Sequence, residues 1–282
     1  MITLAIMNRV FQRVLRNSVK FLASWDKALP AILEQDLAGV QGKGVGSESV
    51  LKEALVVLKF FDTHIQGKLK SGLTKQNRDL VVFDIGANNG DYSAAILKLN
   101  PKSIIYAFEP SFTSGLAFKA RFNEAKNVKF FNLAISNEIG VKTLFSEYPG
   151  SPLSSLVKRN LEHFGKSFEH QELVQTTTLD NFCELNCVIP DVLKMDVEGY
   201  ELNVLLGGLE VIKKISVIQF EFGGCNIDTR TFFQDFWYFF REYNFTIYRI
   251  TKNESIVVSN YTEADEYFST TNYVAINNNH LV

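Results

Sequence analysis

What this 282-residue sequence has little of narrows its class before any motif is read. It carries three cysteines, Cys183, Cys187 and Cys225, and no second pair or histidine cluster accompanies their CxxxC spacing. So sparse and odd a set excludes a disulfide scaffold or a zinc finger, and reads as reduced thiols in a cytoplasmic protein. No apolar run approaches the ~20 residues that span a bilayer, so no transmembrane helix is expected. The N-terminus lacks the basic-then-apolar order and small-residue cleavage site of a signal peptide. Lys and Arg total 29 against 31 Asp and Glu, a net charge of -2, so no basic field invites nucleic acid as a partner. Phosphate loops are missing too. In QGKGVGSES (41–49), Lys43 is followed by neither Ser nor Thr and no apolar strand precedes it, so the segment reads as a linker.

What is present has two textures. Up to about residue 75 the pattern is helical. Val10, Phe11, Val14, Leu15, Val19 and Leu22 recur on one face, with Arg9, Arg13, Arg16 and Lys20 largely off it. Such a helix packs on its own domain or makes peripheral contact with an anionic membrane. Pro30 interrupts the pattern. A second helix carries Val50, Leu51, Ala54, Leu55, Leu58, Phe61 and Ile65 as its stripe, with Ser47 or Ser49 as N-cap.

From residue 80, short β-branched runs alternate with helical ones: LVVFDIG (80–86), YSAAILKL (92–99), SIIYAFEP (103–110), NVKFFNLAIS (127–136), DVLKMDVEG (191–199) and SVIQFEFG (216–223). Runs so uniformly apolar imply a parallel sheet covered by helices on both faces. Phe232, Phe233, Phe236, Trp237 and Phe240 form an aromatic helical stripe that reads as core. FTIYRI (245–250) and TNYVAIN (271–277) close the chain as a late antiparallel pair. Residues 142–178, with Pro149, Gly150, Pro152 and two histidines, fit no alternation. They read as an insertion placed to contact an acceptor, because loops at strand ends build sites in open α/β sheets.

The chemistry concentrates in VVFDIGANNGDYSAA (81–95). A strand ends in Asp84, a glycine-bearing turn follows, and a helix starts near Asp91. Small residues admit a ligand close to the backbone, and helix N-terminal amides favour an anionic group. The glycines, Gly86 and Gly90 around Asn88, do not follow the dinucleotide spacing G-x-G-x-x-G, which counts against a dehydrogenase. Asp84 instead suits a cation such as an amino group. Glu109, ending the second strand, can accept both hydroxyls of a ribose. Leu133 and Ala134 stand where backbone groups meet an adenine edge.

FDIGANNGDYS (83–93), AFEP (107–110), TTTLDNFC (176–183), VLKMDVEGYELNVLLGG (192–208) and IQFEFGG (218–224) together resemble the FkbM family of methyltransferases. The resemblance runs from about residue 80 to 250. It implies a Rossmann-like fold with a seven-stranded, mostly parallel sheet over residues 76–282; residues 1–75 fall outside it and read, from their own periodicity, as a helical N-terminal extension. It further implies S-adenosyl-L-methionine as cofactor, with Asp84 on the methionyl amine, and a hydroxyl of a sugar, polysaccharide or other small molecule as acceptor. The cofactor set is then Asp84, Gly86, Asn88, Gly90, Glu109, Ala134 and Asp196, and the catalytic set Asp196, Lys194 and Glu221. Lys194 and Asp196 share one face of a strand. Either a carboxylate or a lysine of depressed pKa can take the acceptor's proton. Asp196, Glu198 and Glu221 can alternatively hold a divalent metal. His163 and His170 are further base candidates, read as solvated loop residues. The remaining alternatives are a cofactor-binding scaffold without transfer activity, or transfer to RNA or protein.

Overall fold

The computed structural model describes residues 16–21, 29–44, 49–70, 79–251 and 254–280. The chain divides into two units, Met1–Gln41 and Gly42–Val282. In the first, residues 16–21 are helical and α1 spans Leu29–Val40. Most of the expected basic helix, Arg9 and Arg13 included, lies outside the described residues. Pro30 does not interrupt a helix; it sits in the first turn of α1, where its missing N–H has no intrahelical partner to lose.

The second unit opens with α2 (Val50–Lys70), capped by Ser49 Oγ, which accepts from Lys52 N at 3.3 Å. Ala54, Val57 and Leu58 pack into one core with Leu80, Val82, Ala95 and Ile96. This helix therefore shares the sheet's hydrophobic core and falls in the second unit. Its inward face also differs from the expected stripe. Leu51 and Leu55 are exposed, and the buried positions are Glu53, Ala54, Val57 and Leu58. A carboxylate is thereby turned toward the sheet.

Parallel strands β1 (Val81–Ile85), β2 (Ile104–Phe108) and β3 (Val128–Phe131) alternate with α3 (Asp91–Leu99) and α4 (Phe112–Arg121). After β3 the chain leaves this sheet. Asn132 Nδ2 donates to the carbonyls of Glu109 and Pro110 at 2.8 and 2.9 Å, which breaks the run expected as one strand over 127–136. Its second half, β4 (Ala134–Ser136), joins β5 (Gly140–Ser146) and β6 (His170–Thr178) in a separate sheet of order β4-β6-β5. The segment expected as an insertion is thus a hairpin spanned by residues 147–169. Then follow α5 (Leu179–Asn186), β7 (Val192–Met195), α6 (Glu201–Leu206), β8 (Val217–Phe222), α7 (Cys225–Thr229) and α8 (Phe233–Glu242). Strands β9 (Phe245–Ile250), β10 (Ser255–Val257) and β11 (Thr271–Asn277) complete the chain, with β9 and β11 the antiparallel pair expected.

The main sheet runs β10-β9-β11-β8-β7-β1-β2-β3, eight strands rather than seven, the addition being the short edge strand β10. Its two faces carry separate cores. Phe83, Leu193, Phe220 and Tyr273 face α5, α6 and the buried aromatics of α8. Val82, Val192, Val217 and Val274 face α2 and α3. The fold is Rossmann-like, as implied. No described helix is long and apolar enough to cross a membrane.

Period-2 alternation on the second face positions the site. Two residues beyond those valines come Asp84 and Lys194, and Gln219 follows Val217 in the same way. Asp84 stands opposite Lys194, Lys194 opposite Gln219, and one step further Glu221 opposite Asn272. One face is thus apolar under α2 and α3 and polar toward the carboxyl ends of the parallel strands.

Candidate active site

The turn between β1 and α3 is left-handed at Gly86, Asn88 and Gly90, with φ of 76°, 46° and 86°. Gly86 N and Ala87 N both donate to Phe108 O, at 2.9 and 3.0 Å, tying the turn to the end of β2. A Cβ on Gly86 would lie 1.9 Å from Asp196 O, so glycine is required by close approach as well as by φ. Asn88 tolerates the left-handed region where other side chains are strained.

Behind the turn lies a buried charge network. Lys194 Nζ is 3.2 Å from Asp84 Oδ1 and 3.5 Å from Asp196 Oδ2, and donates to Gly86 O at 3.2 Å. Ser93 Oγ donates to Asp84 Oδ2 at 2.7 Å. Burial acts to lower the Lys194 pKa, but the charges of Asp84 and Asp196 outweigh it and hold the ammonium above its ordinary value. A lysine base of depressed pKa is therefore not what this geometry makes; the shift has the opposite sign, because two carboxylates surround one ammonium.

At the end of β2, Glu109 Oε2 accepts from Asn88 N at 2.9 Å and Oε1 from Ser111 N at 2.8 Å. Burial pushes its carboxyl up to about 7, against those two amides and the Lys194 charge.

The DVEG turn (196–199) is held by hydrogen bonds from both sides. Glu201 Oε1 accepts from Val197 N at 2.9 Å and Gly199 N at 3.3 Å, stapling the turn from below. From outside, Ser155 Oγ donates to Glu198 O at 2.9 Å, and Arg159 pairs with the carboxylates of Glu198 and Asp228. The 147–169 connection is thereby pinned to the turn. Burial, followed by the Asp196 charge, pushes Glu198 up to about 8 despite Arg159. Burial also raises Glu221 well above the ordinary carboxylate range, followed by the charges of Asp196, Glu198 and Glu201.

A cavity of about 340 Å³ joins these parts, a volume within the range of small-ligand sites. Gly86, Asn88, Glu109, Ala134, Lys194, Asp196 and Glu221 all border it. Asp84 and Gly90 do not border it. Asp84 is fully buried behind Lys194, and Gly90 packs on the rings of Phe118 and Phe122. His163 and His170 also lie away from the cavity, whereas Ser151–Leu156 of the hairpin connection form part of its wall. Among the described residues, no three His, Cys, Asp or Glu side chains group to hold a metal ion.

The lining residues not anticipated include Glu53, Tyr92, Gln219 and Asn272. The sequence did hold one signal, a glutamate between two apolar positions of an amphipathic helix. Tyr92 Oη and Gln219 Oε1 are buried without a hydrogen-bond partner among the described residues. A glycine cradle, a carboxylate at the second strand's tip and orphaned buried polar atoms suit an adenosine cofactor beside a polar second ligand.

A model of the methyltransferase FkbM domain matches residues 84–247. The 2-O-methyltransferase NoeI of Sinorhizobium fredii (strain NBRC 101917 / NGR234) is 28% identical over 155 residues, covering 51% of this chain and 63% of NoeI. The match therefore spans less than two thirds of that relative. Among solved structures, the Methanococcus jannaschii fibrillarin pre-rRNA processing protein aligns at TM-score 0.42 and 12% identity, over 71% of this chain and 67% of its own. Magnesium protoporphyrin IX methyltransferase of Synechocystis PCC 6803, with bound SAM, aligns at TM-score 0.38 and 11% identity, over 83% and 86%.

Proposed function

This chain belongs to the FkbM methyltransferase family, and we propose that it methylates a hydroxyl oxygen of a sugar, glycan or other small polyhydroxylated acceptor. S-adenosyl-L-methionine is the cofactor, and when bound it supplies an electrophilic methyl group on sulfur. The observation that carries the acceptor reading is one cavity bordered by both Glu109 and a carboxylate of raised proton affinity, Glu221. The 2-O-methyltransferase activity in the name of NoeI supports oxygen as the atom methylated.

The roles follow from the geometry. Glu109 would accept the ribose hydroxyls, and the Gly86–Asn89 turn would hold the rest of the cofactor. Asp196, with its side chain 44% exposed, is the carboxylate open to the methionyl ammonium. Asp84 acts one layer back, fixing Lys194 and through it the Gly86 carbonyl. Leu133 and Ala134 border the adenine. Glu221 would take the acceptor's hydroxyl proton as the methyl group passes from sulfur to oxygen, and a base with raised proton affinity suits so weak an acid.

Calorimetric titration with S-adenosylhomocysteine tests the cofactor half. Ionised Glu109 is the stronger acceptor, so affinity falls as pH drops below about 7, where burial places its titration. Glu109→Gln weakens binding by about tenfold at pH 8 and flattens this dependence. A pH-dependent affinity that survives in Glu109→Gln would contradict the assignment.

A further inference from the structure

Beyond the cofactor turn the cavity reaches a polar cluster that neither cofactor binding nor proton transfer uses. Gln219 lies two residues before Glu221 on one face of β8, and Asn272 stands opposite Glu221 in the β8–β11 register. Glu53 of α2 meets both amides: Gln219 Nε2 donates to its carboxylate at 2.6 Å and Asn272 Nδ2 at 3.2 Å. All three are buried and all three border the cavity. Gln219 is 2% exposed, yet its Oε1 has no hydrogen-bond partner among the described residues. The bond from Nε2 to Glu53 fixes which way the amide is turned, leaving the oxygen for a ligand. A buried acceptor left unmet opposes folding, and a ligand donor removes that penalty.

The cluster therefore offers acceptors, from the Glu53 carboxylate and Gln219 Oε1, and selects a ligand that brings donors. Neighbouring hydroxyls on a ring do so without charge. An ammonium would also donate, so the comparison with an amino sugar decides between the two ligand chemistries.

We propose that Glu53 and Gln219 form the acceptor subsite and set its specificity. Two neighbouring hydroxyls of a ring donate to the Glu53 carboxylate and Gln219 Oε1, turning a third hydroxyl toward Glu221. The inference rests on the methyl-transfer reading and deepens it. Glu53 and Asn272 both lie outside residues 84–247, so part of the subsite is built by elements flanking the family domain.

The test uses the full chain saturated with S-adenosylhomocysteine and titrated with the neutral methyl pyranosides of glucose, galactose, mannose and fucose. Cyclohexanol, with one hydroxyl, and glucosamine, with an ammonium, are the comparison probes. At least one neutral pyranoside binds better than both comparison probes. Gln219→Leu and Glu53→Gln each weaken it on the order of tenfold or more, with S-adenosylhomocysteine affinity unchanged. Glu53→Gln is near-isosteric and carries the test should Gln219→Leu not fold. Equal pyranoside affinity in wild type and Glu53→Gln overturns the proposal. So does preference for glucosamine, or no pyranoside binding while S-adenosylhomocysteine binds. Failure of S-adenosylhomocysteine itself to bind overturns the underlying reading instead.

Discussion

Glu221→Gln lowers kcat by about 10²- to 10⁴-fold, the usual contribution of a positioned general base, while S-adenosylhomocysteine affinity stays as in wild type. The substitution keeps the side chain's shape at the end of β8 and removes only its ability to take a proton. In the native protein, burial and the neighbouring carboxylates raise Glu221's proton affinity. The sign follows directly. At low pH Glu221 is protonated and cannot accept the hydroxyl proton, so kcat/KM rises as pH climbs through its elevated pKa. In Glu221→Gln that rising limb disappears. Single-turnover measurements with saturating cofactor across pH separate this from a binding defect. A variant with normal kcat, or with the same pH limb, would assign the base elsewhere.

Asp84→Ala destabilises the protein by about 3 kcal/mol, the low end for a broken buried pair, because it leaves the buried Lys194 ammonium with only the partly exposed Asp196 carboxylate. The Lys194 side chain is 7% exposed and that of Asp84 0%, so water cannot replace the lost partner. Ser93 Oγ loses its acceptor at the same time. Lys194→Met alone is also strongly destabilising, since it strands the carboxylate. The double variant Asp84→Ala/Lys194→Met recovers much of the loss, because neither charge is then left unpaired. Urea unfolding of the four proteins gives the coupling directly. Single variants costing no more than a surface substitution, about 0.5 kcal/mol, would contradict the network described.

The parts of this site that could be read from sequence are those in which one short segment holds both the structure and the chemistry. Strand, turn and helix follow one another in residues 81–95, so Gly86 and Asn88 could be placed without knowing their neighbours. Glu109 was legible for the same reason, as the acid ending the next strand. Asp84 was found, but its surroundings were not. Only the β1–β7 register, joining residues 110 positions apart, shows that its carboxylate faces Lys194, with Ser93 of α3 bonded to its other oxygen. The same enclosure reverses the pKa direction expected for Lys194. Glu53 was hidden twice over. Its partners Gln219 and Asn272 lie 166 and 219 residues away, and the helix stripe was read one position off its buried face. Side-chain pattern marks an amphipathic face but not its rotation when Leu51 and Leu55 remain exposed. The break between β3 and β4 was likewise invisible, because a capping amide, Asn132, decides it and not hydrophobicity.

The account stands on where the methyl group goes. Wild-type protein, S-adenosylmethionine carrying ¹³C in its methyl group, and a mixture of neutral glycosides are incubated together, and the products are followed by carbon–proton correlation NMR. The label is predicted to appear as a methyl ether on a ring oxygen, in step with release of S-adenosylhomocysteine. Label on nitrogen or carbon, or S-adenosylhomocysteine release with no labelled ether, would contradict it.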